Sequence, residues 1–377
     1  MGKFLMAGDR QLLYYDLNDA YVEVINNRYL PLSLRDYIKT TVYDDKETAQ
    51  RSAEHLSALK DYLSGRVLTL SRDNAKQILG AIGMPKSDRT SERIAIVHAC
   101  NGLSMTDNIW VKDENDNRSY VDIDLRTHPL SEVSYEISMI GKNISVQKEI
   151  LLPDIATTGM FRKTWHRTED NIELWKSDRT NGNINVLMEK KASDILDASN
   201  VEHVRYHMIE RDGLKISVCS CLATDDLSLI DGYELQDFAR HHGTTLLAIM
   251  EQVFPKETSR MCIADYVLAN TDRHLGNIQF FVSNETGKVE GLTPLMDFNQ
   301  ALIADELGTD ISDLNYELTG KTMQETAMER FVASGFRINE DVLPEKCKDR
   351  LTELQRVAER KTPEKPKPTR SEDAPER

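Results

Sequence analysis

Cysteine is scarce in this sequence of 377 residues: the five, Cys100, Cys219, Cys221, Cys262 and Cys347, are odd in number and widely scattered. They offer no paired disulfide framework and no Cys-x-x-Cys metal spacing, and a reducing compartment fits them best. Glycine and proline together number 29, which is below the roughly 12% of average usage and excludes collagen-like and low-complexity classes for the chain as a whole. No stretch approaches the roughly 18 apolar residues of a membrane span. The amino terminus holds only Phe4 to Ala7 as an apolar patch, and Met6 breaks the myristoylation pattern. The expectation is a soluble, cytoplasmic protein. Basic residues are outnumbered 47 to 62, and the net charge of −15 repels phosphate backbones and anionic lipid. Direct binding of nucleic acid or membrane is therefore not expected.

What is present divides into two units and a tail. The carboxyl end from Lys361 packs four prolines and nine charged residues into seventeen positions, with no large apolar side chain. Such a segment cannot offset its ordering entropy, so 361–377 reads as disordered. Residues 1–150 read as an α+β domain of unknown role. Short β-like runs cover Lys3 to Met6, Gln11 to Leu17 and Tyr21 to Ile25. Ser71 as an N-cap, then Ala75, Ile78, Leu79 and Ile82, then Gly83 and Pro85, predict a helix with its stop. Another helix is predicted over Ser91 to Cys100. Two short helices can imitate a DNA-reading motif, but Lys86, Arg89 and Arg93 are too few for a phosphate footprint. Trp110, Trp165 and Trp175 read as packing residues, and His241 with His242 as the charged end of a helix.

From about Leu151 the texture changes to a strand pair, a helix, a second strand pair, a helical stretch and a third strand pair. The informative segment is Ala269 to Ile278, Ala-Asn-Thr-Asp-Arg-His-Leu-Gly-Asn-Ile. It places Asp272 and Asn277 in a polar loop between a helix, Lys256 to about Leu268, and a strand, Ile278 to Val282. Phosphoryl transfer asks for such a pair: a carboxylate to orient the hydroxyl nucleophile and a neutral oxygen ligand for magnesium. The strand turns near Gly287 and returns through Val289 to Leu295, ending at Met296-Asp297-Phe298-Asn299. Facing residues then have numbers adding to about 574, which sets Asn277 opposite Asp297. One carboxylate, one amide oxygen and nucleotide phosphates are a sufficient set for magnesium.

Asn270-x-Asp272-Arg273-His274-x-x-Asn277, followed by Pro294-Leu295-Met296-Asp297-Phe298, resembles the HipA-like serine/threonine kinase family, related to protein kinases and phosphatidylinositol kinases. The resemblance covers roughly Leu151 to Phe336 and is specific in the catalytic-loop motif, looser before it. It implies a two-lobed protein-kinase-like fold in the α+β class. The nucleotide-binding lobe would be 151–222, the helical catalytic lobe 223–345, with the amino-terminal domain and the tail as additions. It implies Asp272 as catalytic aspartate, Asn277 and Asp297 as magnesium ligands, and Arg273 and His274 as loop supports.

Upstream, Thr157-Thr158-Gly159 opens a hairpin, Phe161 to Trp165 with Ile172 to Lys176, and can lay backbone N–H groups over phosphates. Period-two alternation puts Ile172, Leu174 and Lys176 on one face. The family's lysine following a Ser/Thr-Gly segment would be Lys163, so two lysines compete for the phosphates. Asn185 to Ala198 reads as a helix carrying Glu189, the match for the family's partner of the lysine. The Asp-Gly hairpin, Val204 to Ile209 with Leu214 to Val218, leads to Cys219-Ser220-Cys221-Leu222. By resemblance that segment is the hinge whose backbone, at Ser220 and Cys221, meets adenine. The function expected is an ATP- and Mg2+-dependent protein serine/threonine kinase with a protein substrate and a regulatory partner of antitoxin type. The alternatives are a catalytically silent nucleotide- or partner-binding module, and a nucleotidyl or small-molecule transferase on the same fold.

Overall fold

A computed structural model describes residues 2–35, 46–146, 152–169, 171–178 and 182–361. The expected disordered tail lies outside these residues except for Lys361, which closes the last helix.

The chain begins with β1 (Lys3–Ala7), β2 (Arg10–Asp16) and β3 (Tyr21–Val24), then α1 (Leu32–Arg35), α2 (Lys46–Gly65), α3 (Ala75–Ala81), α4 (Thr90–Ala99) and β4 (Ile109–Asp113). The four strands form an antiparallel sheet in the order β3-β2-β1-β4. Leu5, Leu13 and Val111 from it, Leu59 and Leu63 from α2, and Ile78 and Ile96 from α3 and α4 bury a common core, which Leu152 and Ile155 join. Alternating apolar side chains drive the strands onto the helices; polar neighbours face water. Ser71 is not the cap of α3. Its hydroxyl pairs with Thr69, and the helix is entered from Asn74 in a left-handed conformation, φ 62°, without a side-chain cap. Asparagine tolerates that region better than other branched residues. Arg93 of α4 is buried and donates to the carbonyls of Ser64, Val67 and Leu68, so it braces the core.

After α5 (Glu132–Tyr135) come β5 (Arg162–Arg167), β6 (Ile172–Ser177), α6 (Ile184–Leu196), β7 (His207–Arg211) and β8 (Leu214–Ser220). The second sheet is antiparallel, ordered β5-β6-β8-β7. One face buries Trp175, Ile216 and Val218 against Tyr135 and Met139. Trp165 packs instead with Met6, Leu103, Met105 and Trp110, tying the two sheets together.

The remainder is mainly helical: β9 (Leu227–Asp231), α7 (Gly232–His241), α8 (Leu246–Val253), α9 (Pro255–Val267), β10 (Gln279–Ser283), β11 (Val289–Leu292), α10 (Ile303–Leu307), β12 (Asn315–Tyr316), β13 (Lys321–Thr322), α11 (Met323–Ser334) and α12 (Glu345–Lys361). Helix α9 is buried along most of its length, with Met261 to Val267 in the core. Strand β9, in a stretch expected to be helical, joins the β10–β11 hairpin as a third strand.

The hairpin register is two residues off the expected one. Phe280 faces Leu292 and Phe281 faces Gly291, with an irregularity before the Val282–Val289 pair. Asn277 and Asp297 are thus not ladder partners. Beyond Leu292 the chain leaves the ladder, and Asp297 itself takes a left-handed conformation, φ 59°.

Arginines of the first unit grip the tip of this hairpin. Arg10, Arg28 and Arg35 donate to the carbonyls of Asn284, Thr286 and Gly287 at 2.9, 3.0 and 2.7 Å. Gly287 has φ +68°, and a Cβ there would stand 2.7 Å from the Arg28 carbonyl oxygen, so only glycine fits.

Candidate active site

A cleft of about 1120 Å³ runs between the second sheet, the β10–β11 hairpin and the first unit. Thr157, Thr158, Gly159, Lys163, Lys176, Ser220, Cys221, Asp272, His274, Asn277 and Asp297 all line it.

Period two along β6 and the helical turn of α6 bring Lys176 and Glu189 together. Lys176 Nζ lies 2.8 Å from Glu189 Oε1 and 3.2 Å from Asp297 Oδ1. Glu189 is fully buried, and its second oxygen accepts from Ser217 at 2.6 Å. Burial opposes the charge of Lys176, yet Asp297 and Glu189 outweigh it and hold the ammonium well above the ordinary lysine range. The ring of Tyr206 lies 5.5 Å from that nitrogen. For Asp297, burial also works against ionisation, but Lys176 and Lys163 prevail and pull its carboxyl down to about 2. Asn299 donates to the same carboxylate at 2.7 Å.

Lys163 occupies the neighbouring strand, directly opposite Lys176 in the β5–β6 ladder. Its ammonium donates to the Thr158 carbonyl at 3.1 Å. Burial and then Lys176 push it down to about 8. Gly159, φ +94°, passes so close that a Cβ would stand 2.4 Å from Lys163 Nζ. The two lysines therefore divide: Lys176 is held between carboxylates, and Lys163 sits under the Thr-Thr-Gly loop. Thr158 is exposed, while the Thr157 hydroxyl accepts from Trp165 Nε1 at 2.9 Å.

Asp272 opens onto the cleft, where desolvation raises its pKa, His274 opposes and Asp297 adds. Arg273 turns inward. Its guanidinium pairs with the fully buried Asp265 at 3.0 Å and donates to the carbonyls of Asn277 and Met296 at 2.8 and 2.7 Å. That single side chain draws the residue before Asp297 to Asn277, which the hairpin register alone does not do. His274 accepts from Gly276 N at 3.0 Å and stacks on Tyr233. Asn277 donates its Nδ2 to the Asp272 carbonyl at 2.9 Å, leaving its amide oxygen as an available acceptor.

Among the described residues no group of three or more His, Cys, Asp or Glu side chains is gathered as a metal site. The donor set fits a magnesium ion that arrives with phosphates: Asn277 and Asp297 could supply an amide oxygen and a carboxylate, with phosphate and water completing the shell. At the far end, the Cys221 N–H is taken by the Ile172 carbonyl at 2.7 Å, and the Ser220 hydroxyl interacts with Asn171. The Cys221 amide is thus unavailable to adenine.

Asp265 escaped the sequence reading. It also accepts from Asn270 and Tyr316 at 2.8 and 2.6 Å. Its signal was a lone carboxylate within an apolar run, Met261 to Val267, because a buried charge needs partners.

The fold and cleft define a kinase-like protein. A sequence model of the family described as phosphatidylinositol 3- and 4-kinase matches residues 103–304, more than half of the chain, and the chain belongs to that family. Among solved structures, the Shewanella oneidensis MR-1 toxin–antitoxin system HipA, HipB and its operator DNA complex is similar with a TM-score of 0.54 and 12% identity, over 95% of this chain and 90% of that one. The Helicobacter pylori proinflammatory kinase CtkA is similar with a TM-score of 0.38 and 16% identity, over 53% of this chain and 90% of that one. No curated protein matches the sequence. The fold is thus kinase-like and related to that of HipA-type kinases, and among the described residues no helix is long and apolar enough to cross a membrane.

Proposed function

We propose that the chain is an ATP- and Mg2+-dependent kinase that transfers the γ-phosphoryl group to a serine or threonine hydroxyl of a protein. The observation that carries this reading is the convergence of Lys176, Glu189 and Asp297, within 3.2 Å of one another along the lysine's contacts, at a cleft that also holds Asp272 and Asn277. Magnesium, when bound with ATP, offsets charge on the phosphates. Asp297 and Asn277 would hold it. Lys163 and the Thr158 N–H of the Thr157 to Gly159 loop meet the phosphates, and Lys176 keeps Asp297 ionised and in place. Asp272 orients the acceptor hydroxyl and receives its proton at a carboxylate oxygen. Adenine lies against Cys219 to Leu222.

A protein acceptor is favoured over an inositol lipid because Asp237 and Asp272 line the cleft, and carboxylates repel an anionic headgroup. In this reading 151–222 forms the nucleotide lobe, 223–345 the catalytic lobe, and a partner of antitoxin type restrains the enzyme. The HipA structure is recorded with HipB, which supports a partner by likeness of fold alone. The test is direct: purified chain with magnesium and γ-labelled ATP, read for label on itself and on a lysate. Protein that binds Mg-ATP but transfers no label would favour the silent module, and label from the α-position would favour nucleotidyl transfer.

A further inference from the structure

Arg72 lies in the first unit just before α3, only 2% exposed. One of its terminal nitrogens donates to the carbonyls of Asp154 and Thr157 at 2.7 and 2.8 Å, and the other donates to the carbonyl of Lys163. Two backbone hydrogen bonds run beside it, Leu68 N to the Ile155 carbonyl and Asp73 N to the Met160 carbonyl, both 2.8 Å. The neighbouring buried carboxylate, Asp154, accepts from Ser138, Thr164 and the Trp165 amide. Together these contacts fasten both ends and the middle of the Thr-Thr-Gly loop to the first unit.

We infer that Arg72 is a positioning residue for nucleotide binding: it sets the peptide planes of the loop at 156–161 from behind, so that the N–H groups of Thr158 and Phe161 face the phosphates. The inference rests on the ATP reading of the cleft. In a trans peptide the carbonyl and the following N–H point in opposite directions. Arg72 takes the Thr157 carbonyl and the Asp73 amide takes that of Met160, so the N–H groups of Thr158 and Phe161 point away from them. Residues 156–161 line the cleft, whereas Arg72 and Asp73 do not. Away from Arg72 is therefore toward the cleft. Among the described residues neither of those N–H groups donates to a protein acceptor, and unpartnered N–H groups facing a cleft suit an oxyanion. A loop containing Gly159 at φ +94° has no intrinsic preference for that orientation. The planar guanidinium reaches three carbonyls at once, which a lysine ammonium at the same place cannot do.

Full-length wild type, Arg72→Lys and Arg72→Gln test this in two ways: Mg-ATP affinity by calorimetry, and amide hydrogen exchange without nucleotide. Arg72→Gln is expected to weaken Mg-ATP about tenfold, the equivalent of one lost hydrogen bond to a charged group, and Arg72→Lys to fall between. Exchange should quicken at 155–161 while β1, β2 and β4 keep wild-type rates. Wild-type affinity in both variants overturns the inference, and so does weakened binding accompanied by equal loosening of those three strands. If Arg72→Gln does not fold, Arg72→Lys decides by the same criteria. Wild-type protein that binds no Mg-ATP overturns the nucleotide reading itself, a failure visible before any variant is made.

Discussion

Lys163 and Lys176 enter one cleft with opposite electrical surroundings, and this sets their behaviour with pH. Lys163, pushed down to about 8 by burial and by Lys176, is neutral above that pH while the site is empty. Its charged form is disfavoured in the fold, so the empty protein gains stability as pH rises through 8 toward the ordinary lysine value. Nucleotide phosphates reverse the preference, and binding must return a proton to the amine. ATP affinity should therefore fall as pH rises above about 8. Calorimetry in two buffers of different ionisation enthalpy should register proton uptake there. Lys163→Arg, which stays charged, should remove both effects, and an affinity flat with pH in wild type would contradict the assignment. Asp272 lends itself to a second measurement. Asp272→Asn is expected to cut phosphoryl transfer by roughly 10²- to 10⁴-fold, the usual worth of a proton acceptor, while Mg-ATP affinity stays within a few-fold. A turn-forming role alone would leave turnover unchanged, since asparagine keeps the same turn preference.

Helix α9, the β10–β11 hairpin and the loop between them act as one piece because Asp265 holds Arg273, Asn270 and Tyr316 from inside the core. Asp265→Asn leaves a buried guanidinium without its counter-charge, a change that typically costs about 3–5 kcal/mol. Chemical denaturation should show that loss, and turnover should drop with it, because Arg273 no longer draws Met296 toward Asn277. Stability within about 1 kcal/mol of wild type would mean that the loop is held by other means. Most elements were legible from pattern alone. The Asp-Gly signal gave the β7–β8 turn, and the resemblance to the kinase family singled out Glu189 on α6. Strand β9 was not legible: Leu227–Asp231 is short and owes its conformation to pairing with β10, a tertiary effect that outweighs weak local preference. The bulge in the β10–β11 hairpin was equally hidden, since one extra residue shifts the register without altering composition. Asp272, Asn277 and Asp297 could be named together because their spacing carries chemistry. Asp265 and Arg72 could not, because a buried brace leaves only a charged residue among apolar ones.

Across the whole molecule the cleft is walled by three sets of elements, and a ligand that binds only this assembled form must stabilise all of it. At a Mg-ATP concentration a hundred times Kd the expected gain is roughly 2.7 kcal/mol, seen as a higher melting temperature for wild type and for Asp272→Asn alike. A midpoint unmoved by saturating nucleotide would remove the basis of the kinase reading. The grip of Arg10, Arg28 and Arg35 on the hairpin tip also sets a timetable. These pairs are separated by 274, 258 and 252 residues, and a ribosome adding about 5–20 residues per second needs roughly 13–55 seconds to bridge such a span. For that interval the carbonyls that the arginines will hold do not yet exist. Synthesis thus leaves the three arginines of the first unit without the hairpin they will grip until most of the polypeptide has been made.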